Sequence, residues 1–346
     1  MANLAQLWVV ALDGGTTNTR ARLLRNEQVV ATARRAVGAR DAVMGGRAQK
    51  LAEAVRECLD EVCRTEDAAR PERIVAAGML TADVGLVAVP HVIAPAGLDE
   101  LARGVVACSF PEIADQPIEF VPGIRTPSGP GPDGWAEADV MRGEECETLG
   151  AWQALAASNE GDRSTNQTRV FLWPGSHTKL VEVNAAGRIV RSYTTLAGEL
   201  TSALARHTLL AASLPDPWPG QLDRDSLAAG GKLASREGLG RAAFLVRIAD
   251  LFHSLGPAER AAFWIGAVVA NDVTHLVRHP MLAHGVPVWV GGPQPQRSIY
   301  AEELAAQRVG QVRAISDELA EHASAWGALA ISRRRAVLET AQAERR

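Results

Sequence analysis

The chain has 346 residues, enough for two domains with their own cores, and its net charge of −4 excludes a general electrostatic affinity for nucleic acid or anionic membrane. Hydrophobic residues make up 47% and charged residues 22%, the balance of a globular protein. The four cysteines (Cys58, Cys63, Cys108, Cys146) have no zinc or redox spacing, no apolar run reaches membrane-span length, and the N-terminus lacks a signal-peptide pattern, so the reading is cytoplasmic.

Val9-Val10-Ala11-Leu12 is an apolar strand that ends on Asp13. Gly14-Gly15-Thr16-Thr17-Asn18-Thr19-Arg20 then forms a turn, and Ala21–Leu24 returns as a second strand. By itself this also fits an ordinary Gly-Gly hairpin. A carboxylate at a strand end beside glycine N–H and threonine hydroxyl groups suits Mg²⁺ and phosphate. Val29–Ala33 reads as a third strand, and Leu51, Val55, Leu59 and Val62 recur at helical spacing. Ile74–Met79 is a buried strand, and the polar segment from Thr81 through Asp83 to Leu86 lies where α/β sheets collect ligands. A short helix is expected at Leu98–Val106, and Phe120–Thr126 reads as one strand. The Pro/Gly-rich stretch Thr126–Gly134 is the expected boundary or flap. Met141-Arg142-Gly143-Glu144-Glu145-Cys146 opens a helix with adjacent carboxylates at its start, which also complement a helix dipole.

Val170–Val183 is a second strand–turn–strand, with Gly175, Ser176, His177 and Lys179 in or beside the turn. An offset of 160 residues superposes Gly15 on Gly175, Thr16 on Ser176 and Val29-Val30 on Ile189-Val190, the mark of a duplication. The two turns are therefore expected to face one cleft. Tyr193–Leu200 leads into a helix, and further helices are expected near 226–239, 241–254 and 257–279. His275 and His279 have a metal-ligand spacing without a third ligand, so a solvated face is preferred. Val286–Val290 ends in Gly291-Gly292, bare backbone on which an adenine could lie, and a final helix follows Asp317.

Together, the segments LDGGTTNTR, AAGMLTADVGL through PHVIAPAG, FVPGIRT, DVMRGEE, WPGSHTKLVEV and TTLAGEL resemble the 2-dehydro-3-deoxygalactonokinase family of the actin-like ATPase and sugar-kinase superfamily. The C-terminal third matches less well, because Gly291-Gly292-Pro293 departs from the usual glycine/hydroxyl turn. The resemblance implies an α/β fold of two duplicated ribonuclease-H-like domains, mixed sheets flanked by helices, with a cleft between them. The boundaries would be 1–138 for the first turn and the sugar-acid site, and 139–346 for the second turn and the adenosine site. It further implies transfer of the ATP γ-phosphoryl to the 6-hydroxyl of 2-dehydro-3-deoxy-D-galactonate. Asp13 would organise Mg²⁺. Gly15, Thr16, Thr17, Asn18, Arg20, Gly175, Ser176, His177 and Lys179 would bind the phosphates, and Gly291 and Gly292 the adenine. Glu144 or Glu145 would be the base, with Glu145 preferred. Arg40, Thr81, Asp83, His91 and Arg142 would line the acceptor site, with a homodimer left open. Another small-acid kinase of the same fold, pantothenate-type for example, or a non-catalytic ATP-dependent switch is the alternative.

Overall fold

The computed structural model describes residues 7–39, 48–64, 70–158, 167–253, 255–283 and 285–345. Contacts divide the chain into two units. One comprises Met1–Gln167, Val183–Tyr193 and Ser316–Arg346, and the other Thr168–Glu182 and Thr194–Ile315. Sequence reading split the chain at 138/139 instead. The physical reason for the different grouping is the last helix, α10 (Asp317–Ala343). It packs on β1 (Trp8–Gly14), β4 (Arg73–Gly78), α2 (Leu98–Gly104) and α4 (Glu144–Ala157), all of the first unit.

In the first unit β1, β2 (Thr19–Arg25) and β3 (Gln28–Arg35) form an antiparallel meander. Parallel β4 and β7 (Ile118–Phe120) extend it, and β6 (Val106–Cys108) closes one edge, giving the order β3-β2-β1-β4-β7-β6. Alternation puts Val10 and Leu12 on one face. There they share a core with Leu23, Ile74, Phe120 and the helix α1 (Ala48–Arg64) residues Leu51, Val55, Leu59 and Val62. The helical spacing read from the sequence is thus the stripe that α1 buries.

Phe120–Thr126 is two strands rather than one. Pro122 has no N–H to continue the ladder, and the chain breaks there. Beyond the break, β8 (Ile124–Thr126) leaves the large sheet and becomes the centre of a small one, between parallel β5 (Val92–Ile93) and antiparallel β9 (Asp139–Met141). The expected flap contains a short helix, α3 (Gly131–Trp135).

The second unit holds β10 (Arg169–Trp173), β11 (Thr178–Val183), β13 (Val288–Val290) and β14 (Val312–Ala314), with Thr194–Thr195, the end of β12 (Ile189–Thr195). The strand order β12-β11-β10-β13-β14 repeats β3-β2-β1-β4-β7, and β13 lies parallel between β10 and β14. Strands at the 160-residue offset therefore occupy the same places in their sheets. Helices α5 (Ala197–His207), α6 (Arg224–Glu237), α7 (Leu239–Phe252), α8 (Pro257–Leu276) and α9 (Gln296–Ala306) complete the unit. Trp264 of α8 is fully buried and donates its indole N–H to the Thr201 carbonyl at 3.1 Å. His275 lies in the last turn of α8, whereas His279 lies beyond it and accepts the Met281 N–H. No cluster of metal-ligating side chains occurs among the described residues, and no helix there is long and apolar enough to cross a membrane.

Helices α4 and α10 meet backbone to backbone. A Cβ on Gly150 would collide with the Ala323 carbonyl, and one on Gly327 with the Cys146 carbonyl. Gly150→Val is expected to destabilise the first unit by about 1–3 kcal/mol through overpacking, read as a lower urea midpoint. An unchanged midpoint would mean that this crossing is not close-packed.

Candidate active site

The site in the first unit forms where a strand end meets a helix start. Asp13 stands one residue before the end of β1, paired across the ladders with Arg20 on β2 and Ala77 on β4. β4 ends at Gly78, whose φ of 68° suits glycine. A Cβ there would lie 3.1 Å from Asp13 Oδ1 and would collide with the Gly14 carbonyl. Gly143, with φ 115°, caps α4, and a Cβ on it would lie 3.2 Å from the Gly78 Cα. Two bare backbones thus let the first turn of α4 approach the end of β1. That turn carries Glu144, Glu145 and Glu147.

The three glutamates differ in setting. Glu145 is fully buried, and both its oxygens accept the Gly143 N–H, at 2.9 and 2.8 Å. Burial, then the neighbouring Glu144 carboxylate, pushes its pKa up from the ordinary carboxyl range to about 8. Glu144 is half-buried and accepts the Arg142 backbone N–H at 3.2 Å. Glu147, also half-buried, is pushed up to about 8 by desolvation and then by Asp13, with Arg20 opposing. Sequence reading missed Glu147. Its signal was the i, i+3 spacing from Glu144, which puts both on one side of the helix.

Of the residues expected near the acceptor, Thr81, His91 and Arg142 converge. Arg142 Nη1 donates to the Thr81 carbonyl and hydroxyl, both at 2.6 Å. Its Nη2 donates to the Val89 carbonyl at 2.8 Å and lies 3.1 Å from His91 Nε2. The terminal nitrogens of that guanidinium are thus committed inside the protein. His91 is held below its ordinary pKa by burial, then by Arg142 and Arg125. Asp83 is exposed, its carboxylate accepting the Val84 N–H at 3.0 Å. Arg40 lies outside the described residues.

The two Gly/hydroxyl turns are built alike within their own units. In the first, Gly15 N–H donates to the Asn18 carbonyl at 2.8 Å, and Thr17 is exposed while Thr16 is half-buried. Asn18 Oδ1 accepts from Arg34 at 2.9 Å. A Cβ on Gly38 would collide with the Thr16–Thr17 backbone, and Ala39 N–H donates to the Gly15 carbonyl at 3.1 Å. In the second, Gly175 and Ser176 are exposed, a Cβ on Gly198 would collide with the Gly175 carbonyl, and Glu199 N–H donates to the Ser176 carbonyl at 2.9 Å. Gly38 and Gly198 are also 160 residues apart, a match that extends the repeat beyond the strands.

The sequence profile of the 2-keto-3-deoxy-galactonokinase family matches residues 13–329. The chain belongs to this family. A curated relative from Rhizobium meliloti (strain 1021), named "Probable 2-dehydro-3-deoxygalactonokinase DgoK1", is 29% identical over 209 residues. That match covers 58% of this chain and spans only 60% of the relative's length. Two solved structures share the fold. One, titled "Crystal structure of a putative 2-dehydro-3-deoxygalactonokinase protein from Sinorhizobium meliloti", has 24% identity and a TM-score of 0.71, covering 94% of this chain and 98% of its own. The other, the activator of 2-hydroxyisocaproyl-CoA dehydratase from Clostridium difficile with bound ADPNP, has 13% identity and a TM-score of 0.53, covering 96% and 98%. The architecture is that of actin-like ATPases and sugar kinases.

In this galactonokinase-family chain the remaining expected residues sit in the second unit. His177 Nε2 lies 3.5 Å from Glu199 Oε1. Lys179 is buried, its ammonium donating to the Thr194 hydroxyl at 2.6 Å. Beside it, Thr178 shares a hydrogen bond of 2.9 Å with the Tyr300 hydroxyl, which donates to buried Asp272 at 2.7 Å. This relay anchors the start of β11 to α8 and α9. Gly291 packs against the Trp173 ring, and Gly292 has φ 77° against the Pro174 carbonyl.

The raised Glu145 pKa has a sign in stability. An unfolded glutamate loses its proton near 4.5, whereas the folded one keeps it to about 8. The native state therefore binds more protons across that window, and stability falls as pH rises through it. Thermal melts between pH 5 and 8.5 are expected to show a shallower fall for Glu145→Gln than for the wild type. Parallel curves would mean that the Glu145 carboxyl contributes nothing to that fall.

Proposed function

We propose that the protein transfers the γ-phosphoryl group of ATP to the 6-hydroxyl of 2-dehydro-3-deoxy-D-galactonate. The observation that carries this reading is the gathering of Asp13, Glu144 and Glu147 where Gly78 and Gly143 let a strand end and a helix start approach, in a chain of the galactonokinase family. Phosphoryl transfer needs positioning, charge stabilisation and an acceptor for one proton.

Glu144 suits the proton acceptor better than Glu145. It is partly open to solvent, whereas Glu145 is sealed and spends both oxygens on Gly143 N–H. The O6 oxygen attacks the γ-phosphorus as its proton passes to Glu144, and the bond to the β–γ bridging oxygen breaks, leaving that electron pair on ADP. Glu145 would hold the Gly143 corner from which Glu144 projects. In the first unit Thr16 and Thr17 would offer N–H and hydroxyl donors to phosphate oxygens, with Gly15 closing the turn behind them; in the second unit Gly175 and Ser176 carry donors of the same kind. The donor set fits Mg²⁺ carried in with the nucleotide: a lone strand-end carboxylate, Asp13, suits an ion whose other ligands are phosphate oxygens and water, and no all-protein cage exists among the described residues. When bound, the ion would offset phosphate charge. A cytoplasmic location, where ATP is supplied, belongs to the same reading.

The test is ATP-coupled ADP release over a panel of sugar acids. The expected result is turnover that depends on 2-dehydro-3-deoxy-D-galactonate. A better acceptor elsewhere in the panel would reassign the substrate, and no acceptor-dependent ADP release would remove the kinase reading. At saturating substrates, Glu144→Gln is expected to lower kcat by about 10²–10⁴-fold without changing the melting temperature. A kcat within a few-fold of wild type would place the base elsewhere. Asp13→Asn should also lower kcat, and the loss should resist added substrate, since the carboxylate acts on the metal and not on the acceptor.

A further inference from the structure

We infer that Arg125 recognises the carboxylate of the acceptor, an inference that rests on the kinase reading above and adds a specificity residue to it. In the small sheet, Val92, Ile124 and Met141 stand side by side in the ladders, so one step back Gly123 lies between His91 and Arg142. A Cβ on Gly123 would stand 2.8 Å from the His91 ring, so its bare backbone is the gap across which His91 and Arg142 meet. Two residues further along the central strand, on the same face, is Arg125. It stands in register with Ile93 and Val140, which are 51% and 50% exposed.

Three basic side chains thus share this face, and their states differ. The terminal nitrogens of Arg142 are committed to Thr81, Val89 and His91. His91 is held toward its neutral form. Arg125 is exposed, and no hydrogen bond or ion pair of its guanidinium is found among the described residues. A guanidinium presents a planar fork of donors that matches a carboxylate with two parallel hydrogen bonds. Of the three, only Arg125 has that fork to offer.

The distance suits the acceptor. From Val140, opposite Arg125, the chain needs three residues to reach Gly143, at most about 10 Å along an extended backbone. A six-carbon acid in extended form spans about 7–8 Å from its carboxylate carbon to its terminal hydroxyl oxygen, by ordinary bond lengths. The Arg125 and Glu144 side chains cover the remainder. A sugar acid lying along β9 would present its carboxylate to Arg125 and its far hydroxyl to Glu144. Ile93 and Val140 would shield the ion pair from water on either side.

The experiment compares 2-dehydro-3-deoxy-D-galactonate with its C1 methylamide, which keeps the shape and lacks the charge. Wild-type enzyme should prefer the acid. Arg125→Gln should lower kcat/KM for the acid by about 10–100-fold, mainly through KM, as expected for a lost charge-assisted pair. The same variant should cost the amide far less than the acid and leave the KM for ATP and the melting temperature unchanged, and Arg125→Lys should restore part of the loss on the acid. An equal loss on acid and amide, no loss on the acid, or a wild type indifferent between the two would overturn the inference. A wild type that phosphorylates no sugar acid would remove the kinase reading together with it. Turnover that is unaffected by Arg125→Gln would remove the inference alone.

Discussion

The approach of Gly78 to Gly143 is the contact on which the site depends. Helix α4 presents three glutamates in its first turn, and β1 ends on an aspartate and a glycine. Holding those carboxylates there is costly: burial first, and then the neighbouring carboxylates, push the pKa values of Glu145 and Glu147 up. The backbone packing holds them there. With side chains at either glycine, Asp13 and the helix start would be pushed apart. The Gly143 N–H, shared by both Glu145 oxygens, offsets part of the cost locally.

The same economy of side chains recurs at the two Gly/hydroxyl turns. Each turn is closed from behind by a glycine that follows the third strand of its sheet, Gly38 in one unit and Gly198 in the other. In each, the next residue's N–H donates to a turn carbonyl. Those bonds fix the turns while leaving Thr17 and Ser176 exposed. The units differ at the strand end. Where the first has Asp13, the second has Trp173, fully within its core and covered by Gly291. The duplicated hairpin thus carries a carboxylate at this place in one copy only.

Helix α10 explains why chain order and spatial grouping disagree. It is the last element in sequence, yet its small residues interlock with α4 and its body lies on β1 and β4. Arg22, buried on β2, donates to Glu321 of that helix at 3.0 Å, and Arg73 on β4 donates to Glu119 of β7 while reaching the Ser332 carbonyl. A division at residue 138 separates Arg22 from Glu321 and Arg73 from Ser332. Pairings nearly 300 residues apart have no local signature.

The sequence by itself determined a good deal. Apolar runs of four to six residues, with a glycine directly or one residue behind, are enough to place β1, β4, β10 and β13, because buried strands need continuous apolar faces. The spacing of Leu51, Val55, Leu59 and Val62 placed α1, and the 160-residue offset placed the repeated hairpins with their turns. The carboxylate pair after Gly143 was visible as chemistry. Which glutamate opens to solvent was not, because adjacent helical residues differ only in the surface they meet, and that surface is built from β4 and α10. Nor could the sequence show that Arg142 is already committed to Thr81 and Val89, since those partners lie more than 50 residues away. The break at Pro122, which turns one apparent strand into two sheets, came from a missing N–H that sequence could flag but not resolve. Only the folded chain decided which arginine on that small sheet keeps its guanidinium unspent, because commitment of donors is a property of distance in space and not of order along the chain.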